Sequence, residues 1–168
     1  MRRQLWRPST HFSPSTAQTG DIGSIPNGTL VRTQETDYLT GDANYRARDL
    51  LSLPTATRVK DGSGNIVAQS SIAYDESAFP LLTYGSLIGW SDPGVSARGN
   101  ATTSSSWLNT TGANLVSHVQ YDQCGNMRKA WDARDPSLTN PAQIEYSAVY
   151  QRAYPTLNTS VDPDGGGP

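Results

Sequence analysis

The sequence has a single cysteine and few charged residues. One cysteine excludes an intrachain disulfide framework and a cysteine-based zinc site. Only 17% of the 168 residues are charged, whereas about a quarter are charged in a typical soluble domain. The net charge of −2 and the sequence pI of about 5.6 supply no positive field for phosphates. We therefore expect no nucleic-acid partner.

Long apolar runs are also missing, and only 35% of the residues are hydrophobic. The longest uncharged apolar stretch, 77–91, contains Pro80, Gly85 and Gly89 and is too short to span a bilayer, so no membrane span is expected. The basic start at 1–8 has no apolar run behind it and is not a complete signal peptide. Either the chain stays inside the cell or its true amino end lies elsewhere. So little apolar material does not predict a large compact core.

Glutamate and lysine, which favour helices, are rare. The chain has 3 Glu against 12 Asp and 2 Lys against 11 Arg. Aspartate prefers turns and helix caps because its short side chain competes for nearby backbone groups. Gly (15) and Pro (11) are spread along the whole chain. This composition excludes a helical bundle and predicts an all-β fold of antiparallel hairpins.

Turn-forming residues divide the chain into short strand-like segments. The predicted strands are 29–39, 55–60, 66–74, 101–108, 115–121, 127–131 and 144–154. At 42–51 the apolar spacing predicts one helical turn after an Asp42 cap or, alternatively, a strand leading into Leu53. We expect three regions: an extended lead-in at 1–28, a hairpin array at 29–165 and a tail at 166–168.

One turn motif recurs along the chain. Glycine–asparagine pairs occur at Gly64-Asn65, Gly99-Asn100 and Gly125-Asn126. Asp61 and Asp122 stand three positions before the first and the last of these glycines. Tyrosine–aspartate pairs, Tyr74-Asp75 and Tyr121-Asp122, each end a strand-like run, and the fullest unit continues through Asp132 to Tyr146. The aspartate can accept backbone N–H bonds within the turn, and the glycine supplies the positive φ.

This pattern resembles the tyrosine–aspartate (YD) repeat of the Rhs family over about 42–165. The resemblance implies antiparallel hairpins in a curved or spiralling sheet, part of a shell that encloses a toxin or of a surface barrel. It also implies a non-catalytic structural or adhesive role in a secreted or cell-surface protein. The implied partners are further YD repeats, in the same chain or in other copies. Self-assembly is a third possibility, because unpaired strand edges on an incomplete sheet invite end-to-end addition of copies into an oligomer or filament. The spacing from Tyr121 to Tyr146 is longer than usual, which predicts an inserted loop at 137–143.

The sequence offers little catalytic chemistry. A His118/Asp122 acid–base pair is conceivable, but strand alternation places His118 on an ordinary sheet face. Cys124 occupies a turn without an adjacent basic residue, which favours a free thiol over a nucleophile. The turn aspartates, which include Asp135, Asp162 and Asp164, lack the spacing of a calcium loop and are interpreted as turn caps. We expect no enzymatic activity, metal or cofactor.

Tryptophans and sequons leave an alternative open. Trp90 or Trp107 could form the platform of a carbohydrate-binding or carbohydrate-active β-sandwich, although their separate hairpins favour packing roles. Sequons for N-glycosylation occur at Asn27, Asn100, Asn109 and Asn158. They matter only if the protein is secreted from a glycosylating cell.

Overall fold

The computed structural model describes residues 30–161 and arranges eight strands in one antiparallel sheet whose order follows the chain. The strands are β1 (Arg32–Tyr38), β2 (Pro54–Asp61), β3 (Ile66–Tyr74), β4 (Ala101–Trp107), β5 (Asn114–Tyr121), β6 (Met127–Trp131), β7 (Ala142–Tyr146) and β8 (Pro155–Thr159). One helical turn, α1 (Ala43–Arg46), and one 3-10 turn (Ala148–Tyr150) lie between strands. The all-β hairpin prediction is confirmed. No helix within 30–161 is long and apolar enough to cross a membrane.

Two predicted segments, 42–51 and 144–154, differ in their agreement with the structure that the chain adopts. Asp42 caps α1 by accepting a 2.8 Å hydrogen bond from the Asn44 N–H, so the helical-turn alternative is correct. The single strand predicted at 144–154 is wrong, because β7 ends at Tyr146 and a new strand begins at Pro155. Proline lacks an N–H, but β8 pairs only with β7 and lies at the sheet edge, where proline is tolerated.

Each odd-numbered strand ends in a tyrosine, and these four tyrosines lie at the same end of the sheet, which we call the tyrosine end. They are Tyr38, Tyr74, Tyr121 and Tyr146. A shift in pairing register occurs at every one of them. In each case one residue of the following even strand is left without a partner, as in a β-bulge. The unpaired residues are Thr55, Thr102, Arg128 and Thr156. The sheet is thus built from four two-strand units that share a strand-end tyrosine and a bulge opposite it.

Threonine suits this bulge because its hydroxyl can bond to the neighbouring strand. The Thr156 hydroxyl donates to the Glu145 carbonyl at 3.2 Å. Thr102 Oγ1 lies 3.3 Å from the Ala73 carbonyl, but its single proton is donated to Glu76 at 2.8 Å. Both carbonyls immediately precede the tyrosine of their strand. In the last unit the hydroxyl therefore compensates in part for the ladder bond that the bulge removes.

The apolar core is small, as the composition predicts. Four hydrophobic residues are buried within the described part of the chain: Tyr45, Phe79, Ala97 and Trp131. Phe79, from the loop between β3 and β4, stacks on His118 at 4.6 Å and lies 5.7 Å from Trp131, measured between ring centroids. Five polar residues are buried as well: Thr102, Gln120, Asp122, Gln123 and Asp135. Hydrogen-bonded turns and loops therefore share the interior with the apolar side chains.

Candidate functional site: the interlocked turns at the tyrosine end

The turn after β5 is closed by the carboxylate of Asp122. Its Oδ1 accepts hydrogen bonds from the N–H groups of Cys124 and Asn126, both at 2.9 Å. Its Oδ2 accepts from the side-chain amide of Asn126 at 3.1 Å. Gly125 has a φ of 85°, which other residues adopt only with strain. The Asp122 side chain has no solvent exposure, so these bonds replace its hydration.

The turn between β2 and β3 has the same design at the opposite end of the sheet. The Asp61 carboxylate accepts from the N–H groups of Ser63 and Asn65 at 2.9 Å and from the Asn65 amide at 3.1 Å. Gly64 has a φ of 88°. Lys60, rather than a tyrosine, precedes this aspartate. The Asp-x-x-Gly-Asn sequence therefore closes a turn with or without the tyrosine.

The third glycine–asparagine pair belongs to the same kind of turn, but an insertion divides it. The Asp75 N–H donates to the Asn100 carbonyl at 2.9 Å. In the two short turns the aspartate N–H makes the same bond to the carbonyl of the asparagine four residues later. The Asp75 carboxylate accepts from the N–H groups of Gly99 at 2.7 Å and Asn100 at 3.2 Å. Residues 76–98 are thus a loop inserted into a turn of the same geometry, between its aspartate and its glycine.

Two of the strand-end tyrosines bind their unit to the strand before it. The Tyr74 hydroxyl donates to the Pro54 carbonyl at 2.8 Å, and the Tyr121 hydroxyl donates to the Ala101 carbonyl at 3.2 Å. Both acceptors are the first residues of the preceding even strand. Burial raises the pKa of both phenols, which keeps each hydroxyl protonated as a donor.

A second pair of tyrosines, in the loops, connects neighbouring units. The Tyr45 hydroxyl, from the loop after β1, donates to Asp75 Oδ2 at 2.9 Å. The Tyr84 hydroxyl, from the loop after β3, donates to Asp122 Oδ2 at 3.0 Å. We call this bond, from a loop tyrosine to the turn aspartate of the next unit, the inter-unit lock. Burial, and then the Asp75 carboxylate, raises the pKa of Tyr45 far above its ordinary value, so this hydroxyl stays a donor.

Arginines from the same loops strengthen the connection. Arg48 Nη1 donates to the Ala97 carbonyl at 2.8 Å, and Arg98 Nη1 donates to the Gln123 carbonyl. Each bond runs from the loop of one unit to the loop of the next, parallel to the inter-unit lock. Two successive unit boundaries therefore have the same two contacts, a tyrosine to a carboxylate and an arginine to a backbone carbonyl.

The last described unit lacks the turn aspartate, and no inter-unit lock joins it to the unit before. Tyr146 is followed by Ser147, whose hydroxyl accepts from the Val149 N–H at 3.2 Å and starts the 3-10 turn. The preceding loop, at 122–126, has no tyrosine that could donate to this position. An amide bond at 3.2 Å, from Asn126 Nδ2 to the Arg152 carbonyl, connects these two loops instead. Aspartate and loop tyrosine are thus present together or absent together.

The remaining turn aspartates also bind their own turns. Asp132 accepts from the Arg134 N–H at 2.9 Å, and Asp135 accepts from the Asn140 N–H at 2.6 Å. The inserted loop predicted at 137–143 falls on the connection at 132–141, but its last two residues, Ala142 and Gln143, belong to β7. Within 30–161 no three histidine, cysteine, aspartate or glutamate side chains come together as a metal site. Asp162 and Asp164 lie outside the described residues.

The candidate catalytic residues are placed in packing roles. Glu76 accepts from the hydroxyls of Thr102 and Thr103, and Thr103 Oγ1 lies 2.9 Å from His118 Nδ1. Since the single Thr103 proton is directed to Glu76, His118 Nδ1 must be the donor in its contact. His118 therefore contacts Thr103 and Phe79 rather than Asp122.

Cys124 lies half-buried in the Asp122 turn. Burial raises the pKa of its thiol, and the neighbouring Asp122 carboxylate raises it further. A thiol held protonated is a poor nucleophile, since the thiolate is the reactive form.

The two candidate glycan-contact tryptophans lie apart. Trp90 belongs to the loop between β3 and β4 at the tyrosine end, whereas Trp107 ends β4 at the opposite end of the sheet. Both are half-buried. The described residues form a single sheet, so no second sheet of a sandwich is present among them. These positions do not assemble one binding platform.

The sequons differ in accessibility. Asn100 Nδ2 is buried and has no hydrogen-bond partner, and Thr102 of the same sequon is 2% exposed. The folded chain therefore has no room for a glycan at Asn100. Asn109 and Asn158 are exposed, and Asn27 lies outside the described residues.

Sequence reasoning missed the loop tyrosines Tyr45 and Tyr84 and the threonines of the bulges. A signal for the divided turn was present: Tyr74-Asp75 lacks a nearby Gly-Asn, and Gly99-Asn100 lacks a nearby aspartate. These are complementary halves of one motif. Nothing comparable marks the loop tyrosines, because their distance from the aspartate they contact is set by the fold.

Three turn carboxylates make the stability of the fold sensitive to acid. The Asn65 amide, first among several donors, lowers the pKa of Asp61, and backbone N–H groups lower those of Asp132 and Asp135. A lowered folded-state pKa stabilises the fold above the unfolded value, about 3.9, and this contribution is lost as the pH falls through the folded value.

We expect Asp61→Asn to lose less stability than the wild type between pH 6 and pH 3, measured by urea unfolding. Equal losses in the two proteins would show that Asp61 does not contribute.

Comparison with known protein families, curated proteins and solved structures finds no match to this chain.

Proposed function

We propose that this chain is a non-catalytic structural repeat segment of the YD-repeat (Rhs-like) type, part of a secreted or cell-surface protein. Its role is to form the wall of a shell or of a self-assembling fibre. The observation that carries the proposal is the inter-unit lock, repeated from Tyr45 to Asp75 and from Tyr84 to Asp122. Residues that bind successive units to one another are the main requirement of a wall.

The distribution of burial supports the same role. Each unit contributes few buried apolar residues, and the interior includes hydrogen-bonded aspartate and glutamine side chains. Gln123 shows the principle: its side chain accepts from the Tyr84 N–H and donates to the Gly85 carbonyl, both at 2.8 Å. In repeat proteins stability is the sum of weak units and of the interfaces between neighbours. Further repeats, in the same chain or in other copies, are the partners this design accommodates.

A double-mutant cycle tests whether the lock couples the units. We expect Tyr84→Phe and Asp122→Asn to be non-additive, with a coupling of about 1 kcal/mol in the free energy of unfolding. Tyr154→Phe, at an exposed tyrosine, is the matched control and should show no coupling to Asp122→Asn. Strict additivity of Tyr84→Phe and Asp122→Asn would contradict an energetic link between units.

Glycan-array binding separates this function from the carbohydrate-binding alternative. A structural segment should give no signal that depends on tryptophan. Specific binding by the wild type that is lost in Trp107→Ala or Trp90→Ala would favour the alternative and count against the structural role.

A further inference from the structure

Within residues 30–161 the sheet has two open edges, because β1 pairs only with β2 and β8 pairs only with β7. All five residues of β8 are exposed. An open edge presents a row of unpaired N–H and carbonyl groups, which can add a strand from another molecule.

Charged side chains, a common protection against such pairing, are largely missing from both edges, although Pro155 removes one N–H donor at the start of β8. Proteins commonly block an edge with outward-pointing charges. β8 contains no charged residue. On β1, Glu35 is ion-paired with Lys60 and Asp37 with Arg58, each at 2.7 Å, so both carboxylates are directed to β2. The remaining charge on β1, Arg32, stands at its first position.

Exposed apolar side chains are frequent in the first and last units of the sheet. Of the sixteen large hydrophobic residues that are exposed, nine lie in β1, in β8 or in the segments that flank these strands or connect them to β2 and β7. Those of the first unit are Leu30, Val31, Tyr38 and Leu51, and those of the last unit are Val149, Tyr150, Tyr154, Leu157 and Val161. Apolar groups at both ends suit an interface in which one end covers the other.

We propose that the β8 edge of one copy of this chain pairs antiparallel with the β1 edge of a second copy. This inference rests on the proposed wall function and names the surface and the partner. Odd strands run in one direction and even strands in the other, so β1 beside β8 continues the alternation of the whole sheet. The contact is heterologous, and its repetition gives an open chain of copies.

The junction between copies differs from the internal boundaries in one respect. Tyr38 is followed by Leu39, so the first unit offers no turn aspartate to a loop tyrosine of the preceding copy. Backbone pairing and apolar contact then hold the junction without an inter-unit lock. Association is therefore weaker than the internal contacts and depends on concentration.

Two edge variants of the full chain test this arrangement by sedimentation velocity. Leu157→Lys places a charge on β8, and Val31→Lys places one beside β1. The wild type should form oligomers that grow with concentration, whereas each variant alone should be reduced to a monomer. An equimolar mixture should give dimers and nothing larger, because only one intact β8 edge and one intact β1 edge can meet. Leu115→Lys, at an exposed residue of a central strand, should assemble like the wild type.

Three results would overturn the proposal. They are a wild type that stays monomeric up to millimolar concentration, a Val31→Lys variant that still dimerises through two β8 edges, and an equal effect of Leu115→Lys. Circular dichroism of each variant confirms folding before the comparison. The coupling of Tyr84 to Asp122 is measured within one chain, so failure of edge pairing leaves that test of the wall function independent.

Discussion

Asp122→Ala is expected to lower the free energy of unfolding by about 4 kcal/mol, because its carboxylate is buried and bonded to several donors. The substitution removes the acceptor of two backbone N–H groups, of the Asn126 amide and of the Tyr84 hydroxyl. These donors are left without an acceptor at a site that is closed to water, since Asp122 has no solvent exposure. A small domain is stable by only about 5–15 kcal/mol, so the loss is a large fraction of the total. Urea unfolding followed by circular dichroism measures it.

Asp61→Ala is the matched control that the chain itself offers. Its turn has the same sequence spacing and the same three hydrogen-bond distances as the Asp122 turn. It lacks a tyrosine donor, and water can reach its donors when the carboxylate is removed. We expect a clearly smaller loss than for Asp122→Ala. Equal losses would mean that turn closure alone, without burial or the inter-unit lock, determines stability.

The contrast between these two aspartates shows how far the sequence is informative. Asp-x-x-Gly-Asn predicts the turn in both places, since the geometry depends on contacts within five residues. It does not predict that Asp122 is fully buried. That difference arises from Tyr84, which lies 38 residues earlier in a loop folded over the turn. Local motifs are thus predictable, and the contacts between units are not.

Strand prediction was reliable where turn residues bound the strand on both sides. β2 and β3 flank the Asp61 turn within one residue of their predicted ends, and β6 begins after Gly125-Asn126. The single strand predicted at 144–154 is wrong because Ser147 starts a 3-10 turn without a glycine. Pro155 predicts the end of a strand, but at a sheet edge it begins one. Whether a strand is an edge strand is a property of the whole sheet.

Trp131→Ala is expected to lower the free energy of unfolding by about 3–5 kcal/mol, similar to Asp122→Ala, because truncating a buried aromatic residue leaves a cavity. Trp131 is 8% exposed, lies 5.7 Å from Phe79 and donates from Nε1 to the Leu138 carbonyl at 3.0 Å. With so few buried apolar residues, no neighbouring cluster can fill the space. The substitution should also release Phe79 and the loop that covers the Asp122 turn.

Two variants separate the contributions of the Trp131 side chain. Trp131→Phe keeps an aromatic ring but removes the Nε1 donor, so it should lose about 1–2 kcal/mol. Trp107→Ala, at the half-buried tryptophan that ends β4, should lower the free energy of unfolding less than Trp131→Ala. Hydrogen exchange in Trp131→Ala should accelerate at the loop between β3 and β4 before it does at β2. If Trp107→Ala is as harmful as Trp131→Ala, the ring at Trp131 is not the centre of the core.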